Sequence, residues 1–203
     1  ARKRIGNHGL YVVADVANLP FKAGSFEGMV SLHTLHHLPL EEQVQAYEEL
    51  YRSLAPGATG VVVNGWDTSF LDAVQKVMVR GAERLYRMKR RLDGHGHSSS
   101  AGQANKQLVV GGSGAQPLNP KGTFVRKHNA SWLKTNVGDH ISLRIWVWRS
   151  VSVHFLRTFI HEAWGGRSLL RLLFWLEERF PHFLGKNGKY PLIVIQKTDG
   201  KNA

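Results

Sequence analysis

The sequence predicts an α/β fold, and three observations carry that expectation. Tyr11-Val12-Val13-Ala14-Asp15 is a β-branched, near-continuous apolar run of the kind a strand buried on both faces requires. Residues 40–54 place Leu40, Val44, Tyr47, Leu50, Tyr51 and Leu54 at helical spacing. Gly60-Val61-Val62-Val63-Asn64-Gly65 then reads as another buried strand. Strand, helix and strand in this order form a βαβ unit, so the sheet is expected to be largely parallel.

The elements follow in order. Met29-Val30-Ser31-Leu32 is a weaker strand between the first apolar run and the helix. Pro39 precedes the helix, and Pro56-Gly57 ends it, because proline cannot continue a helix and glycine tolerates positive φ. Residues 69–92 read as a long helix with Phe70, Val74, Val77, Met78, Leu85, Met88 and Leu92 on one face. Residues 93–122 hold 7 of the 21 glycines, with the runs His95-Gly96-His97-Ser98-Ser99-Ser100 and Gly111-Gly112-Ser113-Gly114, and read as a flexible loop. From Ile141 to Val153 every odd position is apolar except Arg149, a period of two that predicts a strand. Leu169, Leu172, Leu173, Leu176 and Phe180 mark a further helix closed by Pro181, and residues 190–197 a last strand. No internal repeat occurs.

Composition limits the chemistry. The 203 residues include no Cys, which excludes disulfides, thiolate metal sites and a thiol nucleophile, and fits a reducing compartment. No run approaches the ~20 apolar residues of a membrane-spanning helix, and the N-terminus lacks a signal-peptide core. The chain therefore reads as soluble and cytoplasmic. Its formal charge of +12 is unevenly placed. Residues 1–65 hold 5 Lys+Arg and 6 Asp+Glu, so residues 66–203 hold 27 − 5 = 22 against 15 − 6 = 9. Such a field concentrates anions near the second part of the chain, whatever their chemistry.

Four linked strings carry a resemblance. They are Asp15-Val16-Ala17-Asn18-Leu19-Pro20-Phe21, Gly24-Ser25-Phe26-Glu27-Gly28-Met29-Val30-Ser31, His33-Thr34-Leu35-His36-His37-Leu38 and Leu54-Ala55-Pro56-Gly57. In this order and spacing, over residues 1–65, the chain resembles the class I S-adenosylmethionine-dependent methyltransferases, in particular their type 11-like branch. Glu27 and Ala58 are mild departures from that pattern. The resemblance implies a Rossmann-like sheet of strand order 3-2-1-4-5-7-6. The glycine-rich first motif of that family has no counterpart here, since Gly111-Gly112-Ser113-Gly114 leads into Pro117 and Pro120 rather than a helix. The chain accordingly reads as an N-terminally truncated fragment lacking the first two strands, with little activity expected of the fragment alone. Its expected divisions are a partial cofactor-binding core over 1–65, a basic helix and Gly/Ser-rich substrate-side insertion over 66–130, and strands and helices completing the sheet over 131–203.

The resemblance also implies site residues. Asp15 would accept a hydrogen bond from the adenine amine of S-adenosylmethionine and the Val16 N–H would reach a ring nitrogen. Read without the resemblance, Asp15 caps a local turn. Leu32 and His33 would pass the methionine part of the cofactor. His36 and His37 are the candidates for catalysis, and Trp66 and Asp67 for the acceptor side. An imidazole titrates near neutral pH and can take a proton from a methyl acceptor, although the residues leave open which one does. If their segment is helical, His33, His36 and His37 share one face. A metal site there lacks acidic or thiolate ligands nearby, and none is expected. The function implied is methyl transfer to an unidentified small molecule. The alternatives are a basic nucleic-acid or membrane-surface module built on residues 76–92 and the tryptophans Trp146, Trp148, Trp164 and Trp175, or a scaffold without activity. In a methyltransferase the 69–92 helix would lie over the acceptor as a lid, apolar face inward, and the tryptophans would pack in the core.

Overall fold

The computed structural model describes residues 9–67, 70–92, 125–160 and 165–199. Among them are four strands, β1 (Phe26–Leu32), β2 (Leu54–Val63), β3 (Leu143–Arg149) and β4 (Tyr190–Gln196), and a 3-10 turn at Leu35–His37. Six helices accompany them: α1 (Leu40–Ser53), α2 (Phe70–Leu92), α3 (Ala130–Asn136), α4 (Val153–Phe159), α5 (Gly166–Arg179) and α6 (Pro181–Asn187). The predicted flexible loop over 93–122 and Trp164 lie outside the described residues.

The sheet order is β1-β2-β4-β3. The last strand in sequence lies inside the sheet, as in the 4-5-7-6 part of the order that the resemblance implies. β1 and β2 run parallel with α1 as their crossover, whereas β2–β4 and β4–β3 are antiparallel. The expectation of a largely parallel sheet is thus corrected for the described residues, where one ladder of three is parallel.

Helix α1 begins after Pro39 and carries Glu41 and Glu42 in its first turn and Arg52 in its last, each complementing the helix dipole. Its buried positions are Gln43, Ala46, Tyr47, Leu50 and Ser53, a stripe at helical spacing. Gln43 tolerates burial because its amide donates to the carbonyls of Leu38, at 2.8 Å, and Arg126, at 2.9 Å. The helix ends because Pro56 disfavours helical backbone at Ala55. Leu54 is already extended and pairs with Phe26, and the bend before the regular ladder uses Gly57 at φ 75°.

In the core, Leu54 and Val62 of β2 and Ile193 and Ile195 of β4 pack with Tyr47 and Leu50 of α1, Leu35, Trp66 and Leu133. Trp66 is fully buried, and its indole N–H donates to the Gly185 carbonyl at 2.8 Å. A smaller cluster joins Val79 of α2 to Val151 and Phe155.

Three further expectations are overturned. Residues 11–15 form no strand. Asp15 makes only an isolated bridge with Asn18, and Leu10 and Val13 face solvent. A strand needs a neighbour for its N–H and C=O groups, and no described strand pairs with this segment. On α2 the apolar stripe points outward: Val74, Val77, Met78, Leu85 and Met88 are exposed, while Asp72, Gln75 and Val79 are buried. Gln75 is held there by a bond to the Ser150 carbonyl and one from the Ser152 N–H. Trp148 and Trp175 are exposed rather than in the core.

Helix α6 covers β3 at one close point, where a Cβ on Gly185 would strike the backbone of Trp146 and Val147. The obstacle is main chain and cannot rotate away. Gly185→Ala is expected to destabilise the fold by about 2–4 kcal/mol. Urea unfolding checks this as a fall in midpoint at constant slope.

Candidate active site

In open α/β sheets the crevice outside the carboxyl ends of the strands receives ligands. Here that edge joins the ends of β1, β2 and β3 to the start of β4, because β4 runs antiparallel to both of its neighbours. His33 follows β1 directly. Its backbone is left-handed at φ 54°, an unfavourable conformation for a side-chain-bearing residue, and its N–H donates to the Val63 carbonyl at 2.8 Å. The turn puts its exposed ring edge-on to Tyr190, with centroids 5.6 Å apart, and 6.0 Å from the ring of His36.

His36 lies in the 3-10 turn, half-buried, 4.3 Å from the ring of His37. Its Nδ1 is 3.4 Å from Oδ1 of Asn64, and the Asn64 amide nitrogen donates to the Tyr47 hydroxyl at 3.4 Å. Asn64 and Tyr47 are both buried. An amide oxygen only accepts, so the neutral His36 ring carries its proton on Nδ1 and keeps a lone pair on Nε2. Burial lowers the His36 pKa, against the Asn64 hydrogen bond, with His37, Lys127 and His33 adding to the fall. His33 is likewise lowered by burial and then by Arg149 and Lys127. Both imidazoles are thus neutral near pH 7, the form able to take a proton.

Residues 125–128 cross this edge as a strap. The Arg126 N–H donates to the His36 carbonyl at 2.7 Å, the Gln43 amide donates to the Arg126 carbonyl, and the Asp67 N–H donates to the His128 carbonyl at 3.1 Å. The strap sets the half-buried Lys127 over Gly65, where a Cβ would lie 3.6 Å from its Nζ and 3.7 Å from the Tyr190 ring. Burial lowers the Lys127 pKa, and Lys189 lowers it further, against Asp67 and Asp72. Lys189 itself donates to Asp72 at 3.1 Å. Arg149 lies over the Tyr190 ring, 4.2 Å from its centroid.

The edge gathers His33, His36, His37 and Asp67. Leu32 is exposed beside them at the end of β1. Trp66 is a correction: its burial and its bond to Gly185 make it a core residue rather than an acceptor contact. Asp15 is exposed, and one of its oxygens accepts from the Ala17 N–H at 3.0 Å, the local turn that the sequence offered as its other reading. Val16 beside it is half-buried. Among the described residues no group of three His, Asp or Glu side chains is placed to hold a metal ion. The residues that sequence reasoning passed over are Asn64, Lys127, Tyr190 and Arg149, and one of them had a signal: Arg149 is the single break in the apolar alternation. A cavity of about 490 Å³ lies elsewhere, lined by Lys134, Arg144, His182 and Lys186 toward the start of β3, and shares no residue with this edge.

Residues 1–62 match the family model of the methyltransferase domain. The matched segment contains Asp15, His33, His36 and His37 and ends inside β2. Among solved structures, a SAM-dependent methyltransferase from Archaeoglobus fulgidus is 11% identical, with 96% of this chain and 71% of that chain covered and a TM-score of 0.47. A SAM-dependent methyltransferase from Thermotoga maritima, described as a possible histamine N-methyltransferase, is 14% identical over 97% of this chain and 69% of that chain, with a TM-score of 0.48. The cyclase SpnF is 14% identical over 98% of this chain, with a TM-score of 0.46, and the chain spans 60% of that protein's length. No curated protein matches the sequence. No helix of the described residues is long and apolar enough to cross a membrane.

The strap has a measurable acid response. His128 is buried between Trp66 and Trp132, stacked 4.4 Å from the latter, and burial pushes its pKa down to about 4. Its unfolded-state value is about 6.5, so between pH 6.5 and 4 the unfolded chain binds a proton that the folded chain refuses. Stability should fall by about 3 kcal/mol as pH drops through that window. His128→Phe, which keeps the ring stack, should flatten this part of a denaturation profile. An unchanged profile in the variant would remove His128 as the cause.

Proposed function

We propose that this chain is part of an enzyme that transfers a methyl group from S-adenosylmethionine to a small-molecule acceptor at the carboxyl edge of β1 and β2. The observation that carries the reading is the methyltransferase-domain match over residues 1–62, which contains the imidazoles of that edge. The donor set fits the cofactor in part. Asp15 offers an exposed carboxylate whose second oxygen is available to the adenine amine, Val16 its backbone N–H, and Leu32 with His33 a strand end for the methionine portion. When bound, the cofactor supplies an electrophilic methyl on a sulfonium centre.

The remaining work falls to this chain. Nε2 of His36 takes the proton that an oxygen or nitrogen acceptor releases, since Asn64 holds the ring in the tautomer that leaves this nitrogen free. His37 and Asp67 line the acceptor's approach, and the Gln43–Arg126 bond keeps the strap across the edge. Alignment of donor and acceptor provides most of the acceleration.

Calorimetric titration of S-adenosylmethionine into the full natural protein tests the reading. Saturable binding is expected, and Asp15→Ala should weaken it by about 1.5–3 kcal/mol, ten- to a hundredfold, through loss of a charge-assisted contact. Absence of saturable binding, or an unchanged dissociation constant in folded Asp15→Ala, would contradict it.

A further inference from the structure

Beyond the three imidazoles, the carboxyl edge carries positive charge that the described carboxylates compensate only in part. Three cations converge there: Arg149 at the end of β3, Lys127 on the strap and Lys189 just before β4. Lys189 is neutralised by Asp72, which Lys76 also contacts at 3.2 Å. Lys127 has the exposed Asp67 and the engaged Asp72 within electrostatic range and makes no ion pair with a described residue. Arg149 has less. Its guanidinium rests on the Tyr190 ring, and among the described residues its buried Nε has no hydrogen-bond partner and no carboxylate or carbonyl bonds it. Both cations act on His33.

A buried guanidinium nitrogen with no acceptor is an incomplete structure, because it has lost its water without gaining a partner. The planar fork of arginine is made for the paired oxygens of a carboxylate or phosphate, and its seat over the Tyr190 ring, 4.2 Å from the centroid, restrains it in advance. The Lys127 ammonium, which like Arg149 acts on His33, adds a second positive charge on a group already partly stripped of water. We infer that Arg149, with Lys127 at the same edge, binds an oxyanion carried by the acceptor, a carboxylate or a phosphate, and so anchors the acceptor next to His33 and His36. This deepens the methyl-transfer reading and rests on it for the word acceptor, whereas the anion site stands on Arg149, Lys127 and Tyr190 alone.

The test is an NMR titration of the chain, without S-adenosylmethionine, following the Arg149 Nε–H signal and the His33 ring protons. Inorganic phosphate is added in one arm and acetate in another, with sodium chloride at matched ionic strength as reference. A saturable shift at both residues with phosphate, acetate or both supports the site and names its preferred oxyanion. Arg149→Met should weaken binding at least tenfold and Lys127→Met severalfold, while Lys186→Met, in the separate basic cleft near the start of β3, should leave it unchanged. If Arg149→Met loses its fold, Arg149→Lys decides, since lysine keeps the charge but not the fork: several-fold weaker binding supports the assignment, and unchanged affinity overturns it. No saturable shift with either anion, or binding retained in folded Arg149→Met, also overturns it. Anion binding in a protein that fails to bind S-adenosylmethionine would leave this site standing and remove the methyl-transfer reading; the reverse result would do the opposite.

Discussion

The antiparallel ladder between β2 and β4 is the constraint on which the rest depends. It runs from Thr59↔Gln196 to Val63↔Leu192, so the start of β4 must lie at the carboxyl end of β2. Tyr190 is thereby brought to Gly65, and Arg149, paired with Tyr190 across the β3–β4 ladder, arrives at the same edge. A register slip of one residue would turn Ile193 and Ile195 out of the core and carry Tyr190 away from His33. Two residues separated by more than 150 positions become neighbours because one short ladder has one register that buries its isoleucines.

The second dependency is polar. Tyr47 of α1 and Asn64 at the end of β2 are both buried, and each satisfies the other while Asn64 turns its remaining oxygen toward His36. The pair ties the crossover helix to the strand end and fixes an imidazole tautomer at the same time. Gln43 works in the same way one turn earlier on α1, spending its two amide protons on Leu38 and Arg126 and so pinning the strap. Buried amides that could weaken an apolar helix face instead position the site above it.

Much of this was legible in the sequence, for reasons that differ by element. α1 was readable because its apolar spacing and its proline boundaries agree, and β2 and β4 because runs of Val and Ile between turn residues leave few alternatives. The segment 11–15 was misread because its composition states a preference for strand while pairing decides whether a strand exists. α2 was misread for the opposite reason: its apolar stripe promised burial, but Asp72 and Gln75 find partners in Lys189, Ser150 and Ser152, and those bonds turn the other face inward. The histidines stood out as a motif. Their partners did not, since Asn64, Lys127 and Tyr190 lie in unrelated parts of the chain and meet only through the ladder.

Proton transfer at this edge requires His36 to be a neutral imidazole protonated on Nδ1, with Nε2 free at the carboxyl edge. Long-range proton–nitrogen correlation of the histidine side chains across a pH series measures this directly. Expected are an Nδ1–H tautomer for His36 at pH 7 and a titration midpoint below the ordinary 6.5, which moves lower still in Asn64→Ala as the supporting hydrogen bond is lost. An Nε2–H tautomer, or a midpoint above 6.5, would contradict it.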